Sequence, residues 1–267
     1  MRAAVAVTLL VVAVAAAGCG ASHARRDAVN LYFDRVDAAQ LPVRNASVSI
    51  AQSISHFSVQ HNSSSEVRAL MRAHSLFSQV ATRLRTVHPP ADATRIHAQL
   101  VHYYAVQSAV TGELVQMTQF VPRFARALQP LKSTHDRLTA ELKLAKGWQP
   151  VAAAFAHYRV GLASVVAQLE RLVAPPTFRP AFTAQRGGLR RSVQLCSAIE
   201  SDLAHHNAKA TAAGIRALAN VGAEKAATKV RGEQIAAAKA YNARLAQVGI
   251  LEGRIAKERD RLVGELG

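Results

Sequence analysis

The side chain whose position predicts the clearest chemistry is the thiol of Cys19. It follows Gly18 and an apolar run over residues 3–17, and Arg2 lies before the run. A basic residue, a short apolar segment and small residues at its end are the layout of a secretory signal. The run has about 15 residues, whereas a helix needs about 20 to cross a bilayer core. It is therefore too short for a comfortable permanent span.

The residues around this thiol, Ala16-Ala17-Gly18-Cys19, resemble the lipobox of bacterial lipoproteins. The resemblance implies that a diacylglyceryl group is transferred to Cys19 and that the chain is cleaved between Gly18 and Cys19. It further implies a mature protein that is lipid-anchored on the extracytoplasmic face of the bacterial cell membrane. No family resemblance extends to the rest of the chain.

Two other fates of the N-terminal segment remain open. Ala15 and Ala17 satisfy the small-x-small rule for ordinary signal cleavage, which would release a soluble protein with Cys19 near its start. Alternatively, the run stays uncleaved as a poor anchor. The lipoprotein interpretation is preferred because Cys19 lies directly at the end of the apolar run.

The other cysteine, Cys196, lies on an apolar helical stripe between Leu189 and Leu203. A free cysteine in such a position behaves as a small hydrophobic residue, so we expect it to be buried and unreactive. If Cys19 is acylated, Cys196 is the one remaining thiol and no intrachain disulfide can form.

Acids and histidines show no catalytic or metal-binding pattern. His205 and His206 are adjacent, which places them about 100° apart on a helix. Acidic residues come from different segments: Glu66, Asp92, Glu113, Asp136 and Glu141. There is no helical His-Glu-x-x-His, nucleophile elbow, phosphate loop or dinucleotide fingerprint. We therefore expect a non-enzymatic binding or scaffolding protein with no cofactor and no metal. The alternative is a cell-envelope hydrolase or a lipoprotein that carries a small ligand.

Two polar residues replace apolar ones in otherwise apolar stripes. His74 is expected to be a hydrogen-bonded core histidine, and Gln107 is expected to fix helix register rather than bind a ligand. If either is buried, it must find a hydrogen-bond partner.

The chain is strongly basic, with a formal charge of +16, or about +15 once residues 1–18 and their one charged residue, Arg2, are removed. Such a charge favours anionic partners. An export signal argues against nucleic acid, which leaves anionic lipid or an acidic wall polymer. The positive charges are spread over helix faces, so a solvated basic surface is also a sufficient explanation.

Apolar residues recur at steps of three and four throughout the body, and no stretch alternates in the manner of a strand. The sequence therefore predicts an all-α fold, a long antiparallel bundle of about seven or eight helices. Pro42 is predicted to end the first helix. Ser63 and Glu66 have the spacing of a capping box at the start of another.

An internal repeat is also predicted. At a shift of 86 residues, 10 of 24 positions between 76 and 99 are identical to those between 162 and 185, including the pairs Pro89-Pro90 and Pro175-Pro176. We interpret segments of about 64–121 and 149–206 as two related helix–Pro-Pro–helix hairpins.

These patterns suggest a division into a cleaved signal over residues 1–18, a lipidated tether over 19–24, a helical bundle over 25–206, and an Ala-rich C-terminal helix over 207–267. The last helix would pack on the bundle or extend from it. If exposed, its stripe of Leu245, Val248, Ile255 and Leu262 could dock a helical protein partner.

Overall fold

The computed structural model of the chain describes residues 23–54, 63–222 and 224–266, and no β-strand occurs in these ranges. The all-α prediction is confirmed, whereas the predicted signal and Cys19 lie outside the described residues. The described helices are α1 His23–Ile54, α2 Ser64–Thr86, α3 Thr94–Leu128, α4 Pro130–Leu144, α5 Trp148–Glu170, α6 Arg179–Ala204, α7 Ala208–Gly222 and α8 Glu224–Leu266.

The chain forms two compact units. Among the described residues, unit 1 combines those up to Thr118 with those from Tyr241 onward, and unit 2 comprises those between 119 and 240. The sequence-based division placed one bundle over 25–206, but α3 and α8 each contribute to both units. The physical reason is visible on α3, where Leu114 belongs to one apolar core and Phe120 to another.

Unit 1 is a four-helix arrangement of α1, α2, the first part of α3 and the last part of α8. Side-chain partners give its topology. Arg25 and Tyr32 of α1 contact Asp92 and His97, in the same order along the chain. On α3 and α8 the order is reversed, because Arg95 pairs with Glu258 and Glu113 with Arg244. Thus α1 and α3 run parallel, and α8 runs antiparallel to α3.

One apolar core joins these four helices. Its largest fully buried side chains come from all of them: Tyr32, Leu70, Leu84, Ile96, Leu100, Leu114, Ile255 and Leu262. The rings of Tyr103 and Tyr104 meet edge to face at 5.1 Å, and Phe77 packs against Tyr104. Because α8 supplies residues to this core, the core of unit 1 is complete only when α8 packs against α1, α2 and α3.

The prediction that Pro42 ends the first helix is wrong, because α1 continues through it to Ile54. A proline inside a helix removes a backbone hydrogen bond and costs about 3 kcal/mol or more. The buried stripe runs on past it, with Ala39, Val43, Ala46 and Ile50 all in the core of unit 1. Burial of this stripe offsets the cost of the proline.

The capping box at the start of α2 is confirmed. The backbone N–H of Glu66 donates to Ser63 Oγ at 3.2 Å, and the backbone N–H of Ser63 donates to Glu66 Oε2 at 2.6 Å. After α2, Pro89-Pro90 leads into a short 3₁₀ helix, Ala91–Ala93, and after α5 Pro175-Pro176 leads into another, Pro176–Phe178. The duplication itself stays a prediction.

Unit 2 is built from neighbouring helices in chain order, with α4 packed on α5, α5 on α6 and α6 on α7. Arg190 pairs with Glu170, and Arg159 pairs with Glu200 at 2.7 Å, so α5 and α6 run antiparallel. One core contains Leu138, Ala154, Phe155, Leu162, Cys196, Ile199 and Leu203. A second gathers the rings of Phe120, Phe124, Phe178 and Phe182, with centroids 5.3–6.5 Å apart.

Among the described helices, α5 alone has the length and apolar composition of a membrane-spanning segment. In unit 2 it packs against α4 and α6, and its buried side chains include Phe155, Leu162 and Leu169. Its buried side chains belong to the cores of unit 2, although only 28% of its most apolar window is buried there.

The closure of unit 1 by α8 can be tested with a matched pair of isoleucines on that helix. Ile255 is fully buried, whereas Ile250 is 56% exposed. We expect Ile255→Ala to lower the free energy of unfolding by about 2–5 kcal/mol, because it leaves a cavity in the core. Ile250→Ala should change it by about 0.5 kcal/mol or less. Urea unfolding followed by circular dichroism measures both, and equal losses would contradict the described packing.

Candidate functional site

Four parts of unit 1 meet at one end of it: the start of α1, the connection between α2 and α3, the start of α3 and the last turns of α8. We call this the charged end and define it by residues 23–27, 83–97 and 254–266. The guanidinium of Arg25 donates to both carboxylate oxygens of Asp92. This hydrogen-bonded pair fixes the start of α1 against the α2–α3 connection.

A second ion-pair group joins α3 and α8 at the same end. Glu258 is only 5% exposed; Arg261 donates to it at 2.6 Å, and Arg95 lies 3.6 Å from it. Arg261 also reaches Glu265 at 2.6 Å. The hydrogen bond from Arg261 lowers the pKa of Glu258, and the hydrogen bond from Arg25 lowers the pKa of Asp92. Both carboxylates are therefore held in their charged forms.

The charged end carries more positive than negative charge. Its defining ranges contain nine Lys and Arg residues and five Asp and Glu residues, a formal excess of four. Arg83 and Arg85, in the last turn of α2, and Lys257 of α8 are exposed, and no carboxylate within the described residues pairs with them. Asp92, Glu258, Asp260 and Glu265 are held in ion pairs with arginines, whereas Asp27 is exposed. Most of the acids at this end are therefore paired, while exposed cations remain.

Sequence reasoning overlooked this ion-pair group, although one signal was present. Glu258, Arg261 and Glu265 are three and four residues apart, the spacing at which side chains on one helix face interact. That the partners from α1 and α3 also meet them could not be read from the sequence, because it depends on where α8 returns.

The expected docking stripe on the C-terminal helix is not available to a partner in this structure. Val248, Ile255 and Leu262 are 7%, 0% and 1% exposed and belong to the core of unit 1, and Leu245 packs against that core. The prediction required an exposed helix. The stripe is instead covered by the chain's own helices.

An ion pair in unit 1 joins a buried carboxylate to a partly exposed arginine. Glu113 is 5% exposed, and one of its oxygens lies 2.6 Å from the guanidinium of Arg244, whose side chain is 38% exposed. Nearby Tyr241 is also buried, and its hydroxyl has no hydrogen-bond partner among the described residues. Burial raises the pKa of Tyr241 to about 12, with a further contribution from Glu113. This arrangement has one carboxyl group near a phenol that stays neutral at neutral pH.

Both stripe residues, His74 and Gln107, have the predicted hydrogen bonds. The Nδ1–H of His74 donates to the backbone carbonyl of Ser108 at 2.8 Å, and its ring lies against Gly112, where a Cβ would come within 2.8 Å. Gln107 is 8% exposed and its amide donates to the Tyr103 hydroxyl at 3.2 Å. A side chain at position 112 would therefore collide with the ring of His74.

Cys196 is fully buried in unit 2, as expected from its position on the stripe. Burial raises the pKa of its thiol to about 11, so the unreactive thiol form dominates at neutral pH. His205 and His206 are both exposed, with Nδ1 of His205 bonded to the Ser201 carbonyl and the ring of His206 against Trp148. Within the described ranges, no three His, Cys, Asp or Glu side chains are grouped to hold a metal ion.

The acids singled out in the sequence have separate structural partners. Glu66 caps α2, Asp92 pairs with Arg25, and Glu113 pairs with Arg244. Glu141 accepts from Arg137 at 2.6 Å and lies 3.0 Å from Nδ1 of His157. Asp136 is exposed on α4. A glycosidase-type site needs two carboxylates on either side of one bond, and these contacts do not create one.

An open recess with a volume of about 470 Å³ lies on unit 2 beside the start of α6. It is lined by Pro176, Arg179, Pro180, Thr183, Ala184 and Glu233. The lining offers one cation and one carboxylate at the edge of a largely apolar surface.

Comparisons of the chain with protein-family models, curated proteins and solved structures find no match.

The ion pair Glu113–Arg244 can be tested by a double-mutant cycle. We expect Arg244→Met to lower the free energy of unfolding by about 1–3 kcal/mol, because it removes a close but partly solvated cation from a buried carboxylate. Adding Glu113→Gln should restore part of the loss, because the remaining group is then neutral. Exposed Arg254→Met is the matched control, with little effect. Strictly additive losses in the double variant would contradict the coupling.

The charged end also predicts a pH dependence through His97. Its Nδ1 lies 3.3 Å from the Tyr32 hydroxyl, and burial, followed by the nearby His88, lowers its pKa. The unfolded chain takes up this proton near pH 6.5 while the folded chain resists it. Stability should therefore fall as pH falls from about 7 towards 5, and level off below the folded pKa.

Replacing His97 with glutamine should make that fall in stability shallower. Exposed His102, on the same helix, provides the matched control His102→Gln. Thermal unfolding of both variants between about pH 5 and 7.5 measures the slope. A slope unchanged by His97→Gln, or one that steepens, would show that His97 does not contribute as described.

Proposed function

We propose that this chain is a lipid-anchored, extracytoplasmic helical protein at the bacterial cell envelope that acts as a binding or scaffolding module and not as an enzyme. The observation that carries the proposal is the position of Cys19. It stands directly behind a short apolar run, with Gly18 before it and Arg2 at the start. Attachment through Cys19 would place the body on the outer face of the membrane.

The start of α1 supports this proposal. Residues 20–22 alone separate Cys19 from the first described helical residue, His23. A fully extended chain spans at most about 3.5 Å per residue, so His23 would lie within about 14 Å of the lipidated residue. An anchor at Cys19 would thus hold the charged end of unit 1 at the bilayer surface.

The roles of the chemically capable side chains favour binding or scaffolding. The thiol of Cys196 is buried in a core, and the carboxylates of Glu113 and Glu258 are held in ion pairs with arginines. Each of these groups has a structural explanation. Two long-helix units with extensive basic surface fit a module that contacts anionic or protein partners.

One observation favours the alternative of a lipoprotein that carries a small ligand. The recess of about 470 Å³ on unit 2 has the size of small-molecule sites. Its polar groups, Arg179 and Glu233, would suit a zwitterionic or amphiphilic ligand. A co-purified small molecule lost on Arg179→Ala would favour this alternative.

The two cysteines provide a matched test of the anchor. In a bacterial host that lipidates such signals, the wild-type chain and Cys196→Ala should both be recovered in the membrane fraction. Cys19→Ala should be released or mislocalised, because it lacks the acylated sulfur. Wild-type protein in the culture supernatant, or Cys19→Ala in the membrane fraction as firmly as wild type, would refute the proposed anchor.

A further inference from the structure

We propose that the charged end of unit 1 is a docking surface for the headgroups of anionic phospholipids. This inference rests on the proposed function, which places that end beside a membrane. The partner is assigned from three observations: the length of chain before α1, the pairing of acids at this end, and the exposed cations that have no such partner.

The first observation is distance. The reach of about 14 Å from Cys19 to His23 is an upper limit, and charges attract across about 10 Å at 0.1 M salt. Arg25 is bonded to Asp92, so the α2–α3 connection lies at the same end as the start of α1. Cations from α2 and α8 are therefore brought within reach of the bilayer together with α1. A wall polymer has no such constraint, which is why lipid is the favoured partner.

The second observation is the direction in which charge is displayed. The acids Asp92, Glu258 and Glu265 are each bonded to an arginine of the same end, through Arg25 or Arg261. Pairing reduces the repulsion that these carboxylates would exert on an anionic surface.

The third observation is a set of exposed cations. Arg83, Arg85, Arg254 and Lys257 are exposed, and the described part of the chain supplies no carboxylate to them. Arg83 and Arg85 stand in the last turn of α2, where positive charge is also stabilised by the helix dipole. A lipid phosphate can therefore bind to them without first displacing an internal partner.

The size of the effect follows from general membrane electrostatics. Each basic residue near an anionic surface strengthens binding by about fivefold. Removing three such residues should therefore weaken binding by about 100-fold. Replacing Arg83, Arg85 and Lys257 together with glutamine leaves the ion pairs of Arg25 and Arg261 in place.

The test uses residues 20–267, which contain every described helix and lack the acylated cysteine, so that lipid anchoring cannot mask surface binding. Cosedimentation is measured with vesicles of phosphatidylcholine containing about 30% phosphatidylglycerol, and with phosphatidylcholine alone, at about 0.1 and 0.5 M salt. We expect binding to the anionic vesicles at low salt, loss of binding at high salt, and little binding to neutral vesicles.

The triple variant Arg83→Gln, Arg85→Gln, Lys257→Gln should bind the anionic vesicles about 100-fold more weakly. The matched control, Arg171→Gln, Arg191→Gln, Lys143→Gln, removes the same charge from exposed positions of unit 2. It should bind close to wild type. Circular dichroism checks that both variants fold.

Equal weakening in both variants would overturn the proposal, because binding would then follow net charge and not this surface. Binding to a soluble poly(glycerol phosphate) without binding to the vesicles would also overturn it and would assign the surface to a wall polymer. Either result would leave the Cys19 anchor untouched, since the vesicle experiment contains no lipidated residue. Conversely, the fractionation of Cys19→Ala decides the anchor without reference to this surface.

Discussion

The burial of the last turns of α8 against α1, α2 and α3 is the packing on which unit 1 depends. Ile255 and Leu262 are among its fully buried side chains, although they lie near the opposite end of the chain from α1. This long-range closure brings Glu258 and Arg261 to the start of α3 and, through Asp92, to Arg25 of α1. The charged end is thus a consequence of how the core is completed, and not a separate feature of the surface.

The ion pair of Glu258 at the charged end resembles the ion pair of Glu113 with Arg244, because each joins a buried carboxylate to arginine. Glu258 and Glu113 are each about 5% exposed and each has arginine partners from the neighbouring helix or turn. A buried carboxylate without such a partner would be strongly destabilising. Several arginines of unit 1 are therefore used in ion pairs with its own acids. The exposed cations without such partners are the ones that can bind anionic groups outside the protein.

Local features of the fold could be predicted from the sequence because they depend on neighbouring residues. The capping box of Ser63 and Glu66, the hydrogen-bonded His74 and the buried Cys196 all follow from spacing on one helix. The continuation of α1 through Pro42 could not be predicted in this way, since it depends on how much apolar surface the following turns bury. Whether the stripe on α8 is exposed was left open by the sequence for the same reason: tertiary packing decides which amphipathic face is covered.

Only part of the candidate site could be predicted from the sequence. The lipidation proposed for Cys19 follows from its position behind the apolar run. The surface that such an anchor would hold at the membrane comes from three separate segments, and their meeting depends on the antiparallel return of α8 along α3. Spacing along one segment carries no information on such an arrangement.

The central claim of this account is that the mature protein begins at Cys19 and carries a diacylglyceryl group on its sulfur. Intact-mass analysis of the protein extracted from the membrane fraction tests it most directly. The account predicts a mass that corresponds to a chain starting at Cys19 with the added lipid. A mature chain that starts upstream of Cys19, or one that carries this cysteine unmodified, would contradict it.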